Sequence, residues 1–163
     1  MPEILYNYRS KEDLLFENNS HYYLEIPVLQ NLNDYSNKRI LFLLDTGAYI
    51  TVISGDTASL FGFEKLPSIV DSFSLYGFTG SCLATIKEIP GLVIGNRMLK
   101  GVKVAIPHVE TKYNILGMNV LEHFKFLVDT ESNCIYFSDN PHYKMPLVLR
   151  SSELHSFGIN THK

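Results

Sequence analysis

Residues 40–48 read Ile-Leu-Phe-Leu-Leu-Asp-Thr-Gly-Ala, and this stretch decides the fold. A continuous apolar run carries Asp45 into a tight turn at Gly47, and a second β-rich run follows at residues 49–54. Burying a carboxylate is costly unless hydrogen bonds or a partner compensate for the lost water. We therefore expect a core strand over residues 39–45 that delivers a functional acid. The plainer alternative, for the tripeptide alone, is a turn-forming Asp at a strand end.

Length and composition indicate one globular domain. The chain has 163 residues, of which 45% are hydrophobic and 19% charged, so it is long enough to bury a core. Ten Tyr, ten Phe and many β-branched residues favour strands. The formal net charge of −3 and the lack of a basic cluster with interleaved aromatics predict no nucleic-acid partner.

The remaining composition predicts a cytoplasmic protein without a membrane, metal or cofactor partner. The first three residues, Met-Pro-Glu, do not form a basic signal region, and the apolar runs are too short to span a bilayer. Cys82 and Cys134 form no CxxC pair, which favours free thiols in a reducing compartment. The six His residues are scattered without the spacing of metal ligands.

The pattern along the chain predicts an N-terminal extension over residues 1–20, a folded domain over 21–139 and a C-terminal tail over 140–163. Inside the domain, strands are expected at 22–29 and 39–45, with a hairpin around residues 76–80 and a closing hairpin formed by 126–129 and 134–137. Two short helices are expected. The first spans 57–61, with N-cap candidates at 54–56 and Gly62 at its end, and the second spans 118–124.

Two further blocks complete the decisive pattern. Residues 76–80 read Tyr-Gly-Phe-Thr-Gly, and residues 114–121 read Asn-Ile-Leu-Gly-Met-Asn-Val-Leu. Together with residues 43–48, in this order and spacing, they resemble the retropepsin-like aspartic proteases over residues 21–139. The resemblance implies an all-β, single-domain closed barrel with a flap hairpin and one or two short helices. The glycine-bounded block at 76–80 matches the flap tip mainly by position, so an ordinary hairpin turn is its plainer alternative.

The chemistry implied by this resemblance requires two carboxylates that share a proton and hold a water between them. The chain has one Asp-Thr-Gly, because the Asp-Thr pairs that begin at Asp56 and Asp129 lack the glycine. A second copy must therefore supply the other carboxylate, and a two-fold interface places Asp45 opposite its equivalent. The expected protein is a homodimeric aspartic endopeptidase acting on peptides.

The resemblance also assigns catalytic-loop roles to Asp45, Thr46 and Gly47. Asp45 is the catalytic acid, Thr46 hydrogen-bonds across the dimer, and Gly47 lets the backbone approach closely and point amides at the carboxylate. Ala48 cannot donate a hydrogen bond to the acid, as Ser or Thr could, so its charged form lacks that support. We therefore expect activity at mildly acidic to near-neutral pH.

The flap tip and the residues after the catalytic loop are expected to contact an extended substrate. Apolar pocket walls, including the segment 106–109, predict hydrophobic residues on both sides of the scissile bond. Tyr49 departs from the small polar residue that the family often has, which puts the substrate range in doubt. The predicted substrate-binding residues are Ala48, Tyr49, Ile50, Val52, Gly77, Phe78, Thr79, Gly80 and Pro107.

Alternative interpretations remain open at this point. Tyr49 and Phe78 could be core or dimer-contact aromatics rather than substrate contacts. The whole chain could be a catalytically weak dimerisation or peptide-binding module of the same fold, which a cleft narrowed by Tyr49 would favour. A third possibility is a processing enzyme for one dedicated partner. The intact Asp-Thr-Gly-Ala at residues 45–48 favours the protease.

Overall fold

A computed structural model describes residues 3–7, 22–34, 36, 38–77, 80–95, 97–129, 131 and 134–138 of the chain. Most of these residues lie in strands, as the composition predicts. The strands are β1 Glu3–Asn7, β2 Tyr23–Leu29, β3 Arg39–Leu44, β4 Thr51–Val52, β5 Ser68–Gly77, β6 Gly80–Ile94, β7 Arg97–Pro107, β8 Asn114–Leu116, β9 Lys125–Asp129 and β10 Cys134–Ser138. The helices are α1 Gly55–Phe61, α2 Met118–Leu121 and a 3-10 turn at Phe63–Lys65.

Six strands close into a barrel. The order β2-β3-β8-β4-β7-β6 returns to its start because β2 also pairs with β6, through Val28 opposite Leu92 and Leu29 opposite Gly91. The pairs β3–β8 and β4–β7 are parallel, whereas the other pairs around the barrel are antiparallel. The predicted all-β, single-domain closed barrel is confirmed.

The main core is formed by barrel strands together with both helices and β10, and along the barrel strand β3 its residues alternate with exposed ones. Phe42 is fully buried on β3, and Ile40 beside it is 2% exposed. Leu41, between them, is 45% exposed, so β3 is not buried on both faces as its continuous apolar run suggests. Successive side chains of a strand point to opposite faces, and one face of β3 is turned away from the core. The strand also ends at Leu44, which leaves Asp45 in the loop that follows.

A separate three-stranded sheet has the order β1-β10-β9. β1 runs antiparallel to β10, from Glu3 opposite Ser138 to Asn7 opposite Cys134. The segment 1–20 therefore contributes a strand, which the sequence did not lead us to expect. The predicted domain boundaries at residues 20 and 140 stay predictions. The predicted closing hairpin is confirmed by the pairing of β9 with β10.

The sequence explains both ends of α1 but not the end of α2. Ser54 is the N-cap of α1, where its hydroxyl accepts a hydrogen bond from the Thr57 amide at 3.2 Å. Gly62 ends α1 in the left-handed conformation, with φ of 74°, which favours glycine. α1 begins two residues earlier than predicted, at Gly55. α2 ends at Leu121 rather than at Phe124, because residues 122–124 form a turn.

The predicted flap hairpin is formed by β5 and β6, which pair antiparallel from Phe73 opposite Ala84 to Gly77 opposite Gly80. β6 continues into the barrel and pairs with β7 along its length, so the hairpin extends from the barrel wall. Phe78 and Thr79, the predicted flap tip, lie outside the described residues.

Three structural findings bear on the predicted partners. In the described part of the chain, no helix is long and apolar enough to cross a membrane. The same residues contain no group of three or more His, Cys, Asp or Glu side chains that could hold a metal ion. Cys82 is a free, partly buried thiol, whereas the side chain of Cys134 lies outside what the structure describes.

Candidate active site

Asp45 is the first residue of the loop between β3 and β4, and it is partly buried. The loop is anchored where it leaves the barrel. The Leu44 amide donates to the Tyr22 carbonyl at 2.7 Å, and the Asp45 amide donates to the Leu116 carbonyl of β8 at 3.1 Å. Since Tyr22 directly precedes β2 and Leu116 lies on β8, these two bonds hold the Asp45 backbone to the barrel.

The loop folds back on the Asp45 side chain. The Gly47 amide donates to Asp45 Oδ1 at 2.9 Å, and the Ala48 amide donates to the Asp45 carbonyl at 3.2 Å. A Cβ atom at Gly47 would lie only 3.2 Å from Asp45 Oδ1, so glycine leaves room for the carboxylate. Ala48 contributes a backbone amide, and its methyl group can donate nothing to the acid.

α2 supports the loop from behind. The Met118 amide donates to the Ala48 carbonyl at 2.8 Å, and the Asn119 amide donates to the Tyr49 carbonyl at 3.2 Å. A Cβ atom at Gly117 would lie 2.6 Å from the carbonyl carbon of Ile50, a distance that real contacts do not reach. Gly117 therefore permits the close approach of β8 and α2 to the loop.

The side chain of Asn119 connects α2 to β4 and β7 by hydrogen bonds. This role could not be assigned from the sequence. Its Oδ1 accepts hydrogen bonds from the Thr51 amide at 2.8 Å and the Thr51 hydroxyl at 2.9 Å. Its Nδ2 donates to the Lys103 carbonyl at 2.8 Å, while the Gly117 amide donates to the Thr51 hydroxyl at 3.0 Å. The one available signal was a lone amide side chain in the otherwise apolar run 115–121.

A cleft of about 910 Å³ lies between this loop and the flap hairpin. It brings together eight of the predicted site residues: Asp45, Gly47, Ala48, Tyr49, Ile50, Val52, Gly77 and Pro107. Thr46 is exposed on the loop and Gly80 on the hairpin, and neither lines the cleft. Their predicted roles, like those of the lining residues, stay predictions.

Other lining residues were not expected from the sequence. They come from the hairpin and from the segment before β8, and they are Phe73, Ser74, Leu75, Tyr76, Cys82, Thr111, Lys112, Tyr113 and Ile115. Of the predicted wall segment 106–109, by contrast, Pro107 alone lines the cleft in the described structure. The His108 ring instead pairs with the Thr85 hydroxyl at 2.8 Å, and its amide donates to the Leu83 carbonyl.

Two tyrosines at the cleft are unusually exposed for large aromatic side chains. Tyr49 is 83% exposed and Tyr76 is 84% exposed. The alternative in which Tyr49 is a core aromatic is therefore wrong. A Tyr side chain combines a large apolar surface with a polar tip, so an exposed one at a cleft is suited to contact a ligand or a second chain.

Comparison with known proteins places the chain in a class. The barrel, the flap hairpin and the Asp-Thr-Gly loop beside the cleft define a retropepsin-like aspartic protease. The family model described as "gag-polyprotein putative aspartyl protease" matches residues 34–123, which is more than half of the chain. The chain belongs to this family.

Solved structures share the fold. A retropepsin-like aspartic protease from Rickettsia conorii superposes with a TM-score of 0.57 at 22% sequence identity, over 83% of this chain and 89% of that one. The EIAV protease, in complex with the inhibitor HBY-793, superposes with a TM-score of 0.51 at 14% identity, over 66% of this chain and 90% of that one. A search of curated proteins found no match.

Proposed function

We propose that this chain is an aspartic endopeptidase that works as a homodimer and hydrolyses peptide bonds between mainly hydrophobic residues. The observation that carries the proposal is the position of Asp45. Its carboxylate lies in a large cleft, on a loop that backbone hydrogen bonds hold to the barrel. A positioned acid at the edge of a cleft that can admit an extended peptide is the arrangement that general acid–base hydrolysis requires.

The requirement for a second copy follows from the charges in the cleft. Among the described lining residues, Asp45 is the only carboxylate. Asp56 is exposed on α1 and does not line the cleft. A two-fold axis close to Asp45 would bring two equivalent carboxylates together, since an isologous interface pairs each residue with its own copy.

In the dimer, the two Asp45 carboxyl groups share one proton, because adjacent like charges do not both ionise easily. The ionised group accepts a proton from the bound water as that water attacks the peptide carbonyl. The protonated group donates its proton to the carbonyl oxygen, which gives a tetrahedral diol. As the C–N bond breaks, the proton taken from the water passes to the leaving amine, and a diol hydroxyl returns a proton to the group that had donated one. The Gly47 amide, at 2.9 Å from Asp45 Oδ1, orients the carboxylate throughout.

The cleft walls support the proposed substrate preference. Ile50, Val52, Phe73, Leu75 and Ile115 are apolar and come from the loop, β4, the hairpin and β8. Apolar side chains of a bound peptide would lose water against these walls, which favours binding by about 25 cal/mol for each Å² of apolar surface buried. The exposed strand edges of such a cleft suit an extended peptide that adds to them as a strand.

The test is cleavage of a peptide library from acidic to neutral pH, read by mass spectrometry, for the wild type and Asp45→Asn. We expect wild-type cleavage between hydrophobic residues at mildly acidic to near-neutral pH, and none by Asp45→Asn. The variant should be folded, and as stable as the wild type or more so, because it removes a strained carboxylate pair. A pepsin-like acidic optimum would contradict the inference from Ala48.

Mixing the two proteins tests the shared dyad. If each dimer needs two Asp45 carboxylates, random pairing of one wild-type chain with nine Asp45→Asn chains leaves about one active dimer in a hundred, and activity per wild-type chain falls about tenfold. Activity that stays proportional to the wild-type chain would refute a shared site. A wild-type dimer that binds peptides without cleaving them would instead be the peptide-binding module.

A further inference from the structure

Few of the residues that line the cleft are charged. Of its described lining residues, Asp45 and Lys112 alone carry a formal charge at neutral pH. Asp45 is committed to the proposed dyad. Lys112 is therefore the one charge along the described wall that remains for a substrate side chain, and it is a cation.

Lys112 is held at the cleft by a chain of ring contacts. Its ammonium nitrogen lies 5.2 Å from the centre of the Tyr113 ring, within the range of a cation–π interaction. The Tyr113 ring in turn lies 6.1 Å from the ring of Tyr23, which is 4% exposed on β2. Because a buried residue anchors the ring beneath it, the ammonium has a preferred position at the cleft.

In the described part of the chain, no carboxylate forms an ion pair with Lys112. The structure shows no salt bridge between Lys112 and any acidic side chain of the described residues. The nearest acid in the sequence, Glu110, is exposed and does not line the cleft. The ammonium is thus available to a carboxylate that enters the cleft, while the hairpin residues opposite, 73–77, are uncharged.

We propose that Lys112 is a specificity-determining residue that favours an acidic side chain in the substrate, at a position flanking the hydrophobic pair at the scissile bond. This inference rests on the proposed function. In a two-fold dimer, Lys112 and the partner's Lys112 flank the catalytic axis symmetrically. The preference should therefore occur on both sides of the scissile bond, at similar distances from it.

The test uses pairs of peptides built on one cleaved sequence from the library. In each pair a single flanking position, scanned outward from the scissile bond, carries Asp in one peptide and Asn in the other, which differ in charge but hardly in shape. The measured quantity is the ratio of kcat/KM for Asp over Asn. Because this ratio is taken within one protein preparation, it is independent of the amount of active dimer.

For the wild type we expect a ratio of about five at the favoured positions, which is equivalent to about 1 kcal/mol, the upper end for exposed ion pairs. Lys112→Met keeps much of the apolar stem without the charge and should bring the ratio to about one. Lys112→Glu should invert it. Lys65→Met is the matched control, since Lys65 is exposed and outside the cleft lining, and it should keep the wild-type ratio.

Ionic strength and binding give independent readouts. Raising the salt from about 0.01 M to about 1 M shortens the Debye length from about 30 Å to about 3 Å, so the wild-type ratio should fall toward one. The same peptide pairs should differ in Kd for Asp45→Asn, measured by fluorescence anisotropy, and adding Lys112→Met to Asp45→Asn should abolish that difference.

The outcomes separate the two proposals. Cleavage that needs Asp45, with a ratio that is the same in Lys112→Met and Lys112→Glu as in the wild type, refutes the role of Lys112 and leaves the protease intact. If the wild type cleaves no peptide, the pairs are built instead on a library peptide that the protein binds. A Kd difference that then depends on Lys112 refutes the protease and retains Lys112 as a determinant of peptide binding. Absence of cleavage together with absence of a Kd difference that depends on Lys112 refutes both the protease and the role of Lys112.

Discussion

The contact between Gly117 and the catalytic loop offers a direct test of how the site is supported. Gly117 has φ of −97° and ψ of 179°, a conformation that alanine adopts without strain. A Cβ atom there would nevertheless lie 2.6 Å from the Ile50 carbonyl carbon, 2.7 Å from its oxygen and 2.9 Å from the Thr51 nitrogen. All three are backbone atoms, so no side-chain rotation can relieve the overlap. Gly117→Ala therefore isolates the effect of space from the effect of conformation.

The expected loss of stability has two parts. Overpacking of this kind costs about 1–3 kcal/mol. Moving the loop away also weakens the bonds from the Gly117 amide to Thr51 at 3.0 Å and from the Met118 amide to Ala48 at 2.8 Å, each worth about 0.5–1.5 kcal/mol. Alanine also reduces the conformational freedom of the unfolded chain, which offsets about 0.4–1 kcal/mol of this loss of stability. We expect a net loss of about 3 kcal/mol in the free energy of unfolding, which for a chain of this size lowers Tm by about 6–12 °C.

The assay is urea unfolding at matched protein concentration, because the proposed dimerisation would make apparent stability depend on concentration. Peptide cleavage is measured well below Tm. Since a displacement of about 1 Å can cost about a hundredfold in rate, kcat/KM should fall even where Gly117→Ala is fully folded. Gly55→Ala is the matched control, because its Cβ atom would meet nothing within 4 Å. Equal stability and equal activity of the two variants would refute the proposed support of the loop.

Two further predictions concern polar groups. Asn119→Leu should lower the free energy of unfolding by about 2–4 kcal/mol and reduce peptide cleavage, because the Thr51 amide and hydroxyl and the Lys103 carbonyl lose their partner; unchanged urea unfolding would contradict this. The pKa of Asp34 is lowered to about 2 by hydrogen bonds from the Gln30 amide and from Ser36. Its ionised form therefore stabilises the fold above its ordinary pKa of 3.8, and this contribution is lost as pH falls through about 2. In thermal melts between these two pH values, Tm should decline less with falling pH for Asp34→Asn than for the wild type. An equal decline in the two proteins would argue against a stabilising role of ionised Asp34.

Local signals in the sequence were sufficient for the elements they specify directly. The end of α1 at Gly62 follows from the one residue type that takes a φ of 74° freely, and the flap hairpin follows from alternation on either side of residues 77–80. The Asp45 turn was predictable because a carboxylate after an apolar run needs compensating hydrogen bonds, and the Gly47 amide provides one.

The remaining features depend on contacts between distant residues, which no local pattern encodes. β1 pairs with β10 across more than a hundred residues, so its short Ile-Leu-Tyr run gave no indication of a partner strand. Leu41 and Phe42 are both large and apolar, so residue type does not show which of them faces the core. The position of β3 in the closed barrel decides this. Lys112 lies in an irregular segment without periodicity, and its place at the cleft becomes visible when β8 pairs with β3 and β4.

The loop that carries Asp45 has two faces with different consequences for function. Its rear is bonded to Leu116, Met118 and Asn119, so we expect a change there to alter stability and catalysis together. Its front continues into Tyr49, which is 83% exposed and bears little of the core. Changes on the front, at Tyr49 or across the cleft at Lys112, should therefore alter which peptides are cleaved while stability changes by less than about 0.5 kcal/mol. A barrel that fixes the acid from behind and leaves the cleft wall free can vary its substrate without losing its catalytic geometry.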